Sequence, residues 1–269
     1  MKTADSAQVA EWVLAADHIA VLTGAGISTA SGIPDFRSAA GLYATRASEN
    51  IFDIELFRRD PAPFYTFAAW FYPTLLNARP NAAHTVLAEW ERGGKKIEIA
   101  TQNVDDLHQR AGSQRVYPVH GSWLTSRCLK CSRDWKTMEA VFPGIGKAHG
   151  NFSGPRKNPG EIFQALEKEI PRCDCGGVLK PDITFFGEDL PGTAWACALE
   201  AMQSAPLILV LGTSLTVFPA ATLPDYRHMN ARLVIINRDP TPLDDAAHAV
   251  LRGELAEVMA QLHARAFLA

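Results

Sequence analysis

The chain has 269 residues, 47% of them apolar and 20% charged, with a formal net charge of -3. That length suits one large domain, or a main domain with one or two small modules, and 19 glycines and 17 prolines are too few for a low-complexity chain. The near-neutral balance carries no electrostatic signal for nucleic acid or a membrane surface, and the apolar runs are far shorter than the ~20 residues of a spanning helix. Met1 to Gln8 is polar and small with no apolar secretory run behind it, so the expectation is a soluble cytoplasmic protein.

Four segments read as buried strands: Ile19 to Thr23, Ile97 to Thr101, Leu207 to Leu211 and Leu233 to Asn237. Each is a continuous apolar run, the pattern of a sheet covered on both faces. The first runs into Gly24-Ala25-Gly26-Ile27-Ser28, which reads either as a tight turn or as a backbone cradle for a diphosphate. Thr29 stands where a dehydrogenase fingerprint needs its third glycine. Behind it, Ile33-Pro34-Asp35-Phe36-Arg37 gathers a rigid proline, a carboxylate, a ring and a guanidinium, a set suited to sugar and phosphate.

From about Ser38 to Pro80 the chain is aromatic-rich without a strand-like run, and it reads as a helical insert. Asn81 is a plausible N-cap for a helix with Ala83, Val86, Leu87 and Trp90 on one face, ending at Gly93-Gly94. The second strand delivers Gln102-Asn103-Val104-Asp105-Asp106 to the carboxyl edge, as ligand groups or as a cap for the next helix. Val119-His120-Gly121 follows another short apolar run, with the glycine read as room for a substrate beside a potential base. The third strand ends in Gly212-Thr213-Ser214 and the fourth in Asn237-Arg238-Asp239, and a last helix carries Leu255, Val258, Met259 and Leu262 on one face. Strands alternating with helices, all with polar or glycine-rich tips, describe an α/β fold with a Rossmann-like, doubly wound parallel sheet and one crevice at its carboxyl edge.

Residues from about Thr125 to Val178 hold Cys128-x-x-Cys131 and Cys173-x-Cys175 around a Pro/Gly-rich middle. Four thiolates satisfy a closed tetrahedral zinc site. The alternatives are His149 in place of one ligand, or free buried thiols. Cys197, in an apolar helix, reads as core. Arg127, Lys130, Arg133 and Lys136 make this module locally basic, either a solvated face or a contact for an acidic partner.

Taken together, Gly24-Ala25-Gly26-Ile27-Ser28, Gly32-Ile33-Pro34-Asp35-Phe36-Arg37, Gln102-Asn103-Val104-Asp105, His120-Gly121, Phe186-Gly187-Glu188, Gly212-Thr213-Ser214-Leu215 and Asn237 resemble the sirtuin family of NAD-dependent protein deacylases. Lys180-Pro181-Asp182-Ile183-Thr184-Phe185-Phe186-Gly187-Glu188 is similar to its deacetylase branch. The resemblance implies a Rossmann-like domain (1–37, 81–124 and 179–269), a helical insert with the cofactor-binding loop (38–80) and a small zinc-ribbon module (125–178).

It also implies roles. Gly24, Ala25, Gly26, Ile33, Asp35, Phe36 and Arg37 would belong to the cofactor loop, with Phe36 screening the reactive ribose. Gln102, Asn103 and Asp105 would surround the nicotinamide and its ribose. Gly212, Thr213, Ser214 and Asn237 would hold the phosphates and adenosine, with Leu255 near the adenine. Phe186, Gly187, Glu188 and the segment around Val217 would pair with an extended acyl-lysine peptide. Cys128, Cys131, Cys173 and Cys175 would bind one structural zinc ion.

His120 would be the general base, with Asn103 placing ribose or water. In the family's chemistry the acyl oxygen attacks the nicotinamide ribose, and a ribose hydroxyl deprotonated by the histidine then attacks the imidate, ending in free lysine, nicotinamide and O-acyl-ADP-ribose. Family members that prefer succinyl-lysine carry Tyr-x-x-Arg in the insert. The comparable stretch here reads Tyr65-Thr66-Phe67-Ala68, which points to acetyl or another neutral acyl group. The rival readings are mono-ADP-ribosyl transfer on the same scaffold and a catalytically idle NAD sensor. The sequence carries no signal for nucleic-acid binding, a membrane or a particular oligomeric state.

Overall fold

The computed structural model describes residues 5–36, 38, 41–46, 48–138 and 170–268. Nine strands lie among them: β1 (His18–Thr23), β2 (Lys96–Thr101), β3 (Val116–Pro118), β4 (Gly121–Cys128), β5 (Asp134–Lys136), β6 (Leu179–Ile183), β7 (Leu207–Leu211), β8 (Arg232–Ile236) and β9 (Ala249–Leu251). The chain forms two compact units, one of Met1–Asp35, Arg79–His120 and Leu190–Ala269, the other of Phe36–Ala78 and Gly121–Asp189.

The first unit is built on a six-stranded sheet in the order β3-β2-β1-β7-β8-β9, every pair parallel. Numbered within this sheet, that is 3-2-1-4-5-6, the doubly wound dinucleotide-binding order, whose switch point falls between β1 and β7. The four apolar runs read from sequence are β1, β2, β7 and β8. Their side chains alternate between two cores. Ile19 and Val21 pack with Val9 and Val13 of helix α1 (Ser6–Ala15) and with Trp90, while Ala20 and Leu22 pack with Ala201 and Met202 on the other face. Both faces are buried, which is why the strands read as unbroken apolar runs.

Among the described residues, the second unit contains three helices, α2 (Leu42–Thr45), α3 (Ile54–Arg59) and α4 (Ala62–Asn77), and an antiparallel sheet in the order β5-β4-β6. Phe64, Tyr65, Phe67, Ala68, Ala69, Phe71, Tyr72 and Leu75 are all buried on α4, so the aromatic insert is a core helix, as its composition suggested. The expected boundaries at 124 and 179 need correction. Residues 121–124 and 179–183 lie in strands of this antiparallel sheet and not in the parallel one.

The first unit is completed by α5 (Ala82–Arg92), α6 (Leu107–Ala111), α7 (Gly192–Ser204) and α8 (Leu255–Phe267). Asn81 caps α5, its Oδ1 accepting from Ala83 N–H at 2.9 Å. Cys197, expected in the core, is half-buried on α7.

Candidate active site

The loops that follow β1 and β7 touch backbone to backbone. Gly24 N–H donates to the Leu211 carbonyl at 3.1 Å, and Gly26 N–H donates to the Gly212 carbonyl at 2.8 Å. A Cβ on Gly24 would lie 2.6 Å from the Thr213 Cβ, one on Gly26 2.8 Å from the Gly212 carbonyl, and one on Gly212 2.5 Å from the Ile27 nitrogen. Gly212 also holds φ at +62°, in the left-handed region. These glycines therefore interlock two loops at the switch point, and both named amides are used in doing so.

On this frame the tip of β2 meets the tip of β1. Thr23 and Thr101 are register partners and close a hydroxyl pair at 2.8 Å. Thr23 gives its hydrogen to Thr101, so it accepts from Nε2–H of the buried His108 at 3.1 Å. Thr101 Oγ1 accepts the Asn103 N–H at 3.1 Å, and the Asn103 amide donates to the Gly24 carbonyl and to Ser28 Oγ, each at 3.1 Å. Ser28 in turn donates to Asp105 Oδ2 at 2.6 Å, whose other oxygen accepts Leu107 N–H. Asp105 is 4% exposed, and burial pushes its carboxyl pKa up against those hydrogen bonds. Gln102 Nε2 donates to Thr213 Oγ1 at 3.0 Å, tying the β2 tip to the β7 loop.

His120 stands at the end of this row. Its Nδ1 lies 3.1 Å from the Gln102 carbonyl, which can only accept, so Nδ1 carries the proton and Nε2 is the basic nitrogen. Burial lowers the imidazole pKa, and the Gln102 carbonyl opposes that only in part. The ring is thus neutral at pH 7, as a general base must be. Gly121 does not make room for a substrate as expected from sequence. Its φ is +77°, and a Cβ there would run into the Asp182 carbonyl of β6. The glycine lets β6 approach β4.

The other expected cofactor residues are placed as follows. Ala25 opens the short helical turn after β1, and Ile33 is buried with its N–H on the Ser28 carbonyl. Asp35 is half-buried, and Ser214 is exposed with its hydroxyl 2.8 Å from Thr216. Asn237 follows β8, and its amide donates to the Asp239 carbonyl. The Leu255 side chain is buried with Met259 and Leu262 in the core. Val217 is half-buried. Arg37 and His149 lie outside the described residues.

Sequence reading missed Thr23, Thr101, His108 and the role of Ser28. A threonine at the last position of two adjacent parallel strands was the available signal. It also passed over His84, which is fully buried with its ring centroid 4.9 Å from that of His108.

In the second unit, the Phe36 ring packs on Tyr43 and Phe52. Phe186 N–H donates to the Phe52 carbonyl at 2.7 Å, and Ile54 N–H to the Phe186 carbonyl at 3.1 Å. Its main chain is thus already paired, and its ring is 44% exposed. Gly187 turns the chain at φ +90°. Tyr65, the tyrosine of the Tyr65-Thr66-Phe67-Ala68 stretch, is fully buried, and its hydroxyl donates to the Leu179 carbonyl.

The four expected ligand cysteines come together, with all Sγ atoms within 4.8 Å of one another. Cys128 and Cys175 are 3.5 Å apart, and Cys131 and Cys173 3.6 Å. A tetrahedral ion with Zn–S bonds of about 2.3 Å needs S···S separations of about 3.8 Å, so the thiols fit zinc. A Cβ on Gly177 would lie 2.6 Å from Cys128 Sγ, leaving that flank closed to any side chain. The basic cluster is largely neutralised, since Arg127 pairs with Asp134 and Arg133 with Asp174. Among the described residues, no helix is long and apolar enough to cross a membrane.

A parallel 3-2-1-4-5-6 sheet with polar strand tips at its switch point defines a dinucleotide-binding protein of the Rossmann type, and the chain also carries a four-cysteine cluster that fits zinc. The Sir2 family model matches residues 24–219. NAD-dependent protein deacetylase 1 of Geobacillus kaustophilus is 40% identical over 258 residues, covering 95% of this chain and 96% of that protein. The NAD-dependent protein deacetylase of Thermotoga maritima is 41% identical over 229 residues, 84% of each chain. The chain belongs to the Sir2 family. A solved structure of Sir2 with a p53 peptide and NAD+ matches with a TM-score of 0.81 at 34% identity, covering 99% of this chain and 100% of that one. A Sir2 structure bound to a propionylated peptide matches with a TM-score of 0.78 at 35% identity, covering 97% of each.

Proposed function

We propose that the protein is an NAD-dependent protein-lysine deacetylase that releases nicotinamide and O-acetyl-ADP-ribose. The observation that carries this reading is His120. Its proton is fixed on Nδ1 by the Gln102 carbonyl, which leaves Nε2 as the basic nitrogen of a ring held against the strand-tip groups that suit a dinucleotide. Relatives and matching structures named for NAD, deacetylation and acylated peptides support it.

NAD, when bound, supplies the ADP-ribosyl group that receives the acyl oxygen. Gln102, Asn103 and Asp105 then orient the nicotinamide end, while Ser214 and Asn237 offer a hydroxyl and an amide to phosphate and adenosine. Gly24, Gly26 and Gly212 hold the β1 and β7 loops in one arrangement. His120 accepts a proton from a ribose hydroxyl at Nε2, and Asn103, held by Gly24 and Ser28, places ribose or water. Ala25, Ile33, Asp35, Phe36 and Arg37 form the cofactor loop in this reading, with Phe36 excluding water. The substrate peptide adds as a strand along Gly187 and Glu188, with the Phe186 ring as an apolar contact.

The acyl group is neutral in this reading. The rings of Phe52, Phe57, Phe64, Phe67 and Phe185 cluster with centroids 5.1–6.1 Å apart, and Lys180, the cation over Phe185, is paired with Glu188. Arg46 lies over the Trp70 ring, and Arg58 pairs with Glu55. Thiols assembled for a metal suit a reducing, cytoplasmic setting.

The test is incubation of purified protein with NAD and a panel of acyl-lysine peptides, following nicotinamide and peptide mass. Free lysine with O-acetyl-ADP-ribose is the expected outcome, with acetyl-lysine far ahead of succinyl-lysine in kcat/KM. ADP-ribosylated protein without deacylation would establish transferase activity instead.

A further inference from the structure

Lys180 is a lysine placed where lysines are rarely found: its side chain is 7% exposed, inside the antiparallel sheet unit. The ammonium has three hydrogens, and the structure gives each an acceptor. Nζ lies 2.8 Å from Glu188 Oε2, 2.7 Å from the Ile183 carbonyl and 3.1 Å from the Pro181 carbonyl. The Phe185 ring centroid is 4.1 Å from the same nitrogen, close enough for a cation–π contact.

Those partners share one feature. Ile183 ends β6, and Phe185 to Glu188 form the turn that follows it. Glu188 Oε2 also accepts the Phe185 N–H at 2.8 Å, and Glu188 N–H donates to the Phe185 carbonyl at 3.1 Å, closing the turn over Gly187 from both sides. Phe186 is fixed on its outer side by Phe52 and Ile54. The Lys180 ammonium therefore joins the end of the strand to the carboxylate that shapes the turn. Without it, Glu188 keeps a single contact to Phe185 and is free to rotate toward water.

We propose that Lys180 is a positioning residue for substrate: it sets the course of the Gly187–Glu188 main chain and so the affinity for the acyl-lysine peptide. The proposal rests on the reading that this edge receives the peptide. It predicts a split between the two substrates, because none of the strand-tip residues assigned to NAD is among the partners of Lys180.

The experiment is steady-state kinetics of the full-length enzyme with NAD and an acetyl-lysine peptide, for Lys180→Met, Lys180→Arg and Phe186→Ala. Lys180→Met should raise the peptide KM by about tenfold while the NAD KM stays within about twofold. Lys180→Arg retains the charge but not the compact three-donor geometry, and should raise the peptide KM by about threefold. Loss of stability alone would lower the folded fraction and kcat without moving either KM. Phe186→Ala tests the underlying reading, because removing an exposed ring should weaken the peptide if this edge binds it. An unchanged peptide KM in Phe186→Ala overturns the assignment of the edge. A raised KM in Phe186→Ala with an unchanged KM in folded Lys180→Met overturns the role of Lys180 alone. Should Lys180→Met be insoluble, Lys180→Arg decides in the same way.

Discussion

The two units fix their functional groups by different means. In the first, Ile19 to Leu22, Ile97, Ile99, Leu207 to Leu211 and Leu233 to Ile236 are almost wholly buried between two helical layers, and the polar strand tips extend from a rigid core. Among the described residues of the cysteine module, the apolar cluster comprises Cys128, Cys173 and Leu179, with Trp135 packed against it. The four thiols lie within 4.8 Å of one another, so an ion bound there would add its own coordination energy to the fold. The strand tips of the first unit rest on hydrophobic burial and the four thiols of the second on coordination, and each responds to its own perturbation.

The largest effect is expected from metal removal. One zinc per chain should be found by metal analysis, and stripping it with a chelator, or the Cys128→Ser substitution, should unfold the cysteine module. Structural zinc contributes about 10–16 kcal/mol in small metal-dependent modules. Zinc-free protein with unchanged melting and full activity would show that the thiols serve another purpose.

Next comes the base. His120→Ala should lower deacetylation by ~10²–10⁴-fold with NAD binding retained. Because burial lowers the His120 pKa, the neutral form is kept to lower pH than in an ordinary histidine. The rate should therefore be steady near neutrality and fall as pH drops through a value below 6.5. An acid limb at or above the ordinary value would contradict this placement.

A smaller effect concerns the core of the first unit. His84 is fully buried and its pKa is lowered to about 4 by that burial. Between that value and the ordinary 6.5 the unfolded chain binds a proton that the folded chain refuses, so stability falls as pH falls through this window. The loss should approach about 3 kcal/mol. Urea denaturation at pH 7 and pH 4.5 measures it, and His84→Gln should reduce the dependence, leaving the share of His108, which burial also holds low.

The smallest is Gly212→Ala. A left-handed alanine overlapping the Ile27 nitrogen should cost about 2 kcal/mol and weaken NAD binding. Wild-type stability would mean that the two loops are not interlocked.

Much of the first unit could be read before any coordinates. Continuous apolar runs identified β1, β2, β7 and β8, because burial on both faces leaves no polar alternation to confuse the reading. The edge strands β3 and β9 have only three residues each and lack that signature. In the second unit, β4 alternates between core and surface from Gly121 to Cys128 and is irregular in register, so its membership was set by β6, far along the chain. The site shows the same division. Gln102, Asn103, Asp105 and His120 stood out as polar groups after apolar runs. Thr23, Thr101 and His108 did not, because their hydroxyl and imidazole chain exists only through strand register across 78 and 85 positions of sequence. Gly121 misled for the same reason, its neighbour being the Asp182 carbonyl of β6.

Asn81 was introduced as a helix cap, yet its side-chain nitrogen also donates to the Ile27 carbonyl at 2.7 Å and to Ser31 Oγ at 2.9 Å. The chain leaves the first unit just after Ser31 and returns just before Asn81, so departure and return are pinned to one spot. The segment between them behaves as a closed excursion. Its length and content can change without altering the distance the first unit must span, and loop-closure entropy grows only slowly with length. Residues 36–78 therefore enter and leave the first unit at one place, and a change within that segment leaves the span from Ser31 to Asn81 unaltered.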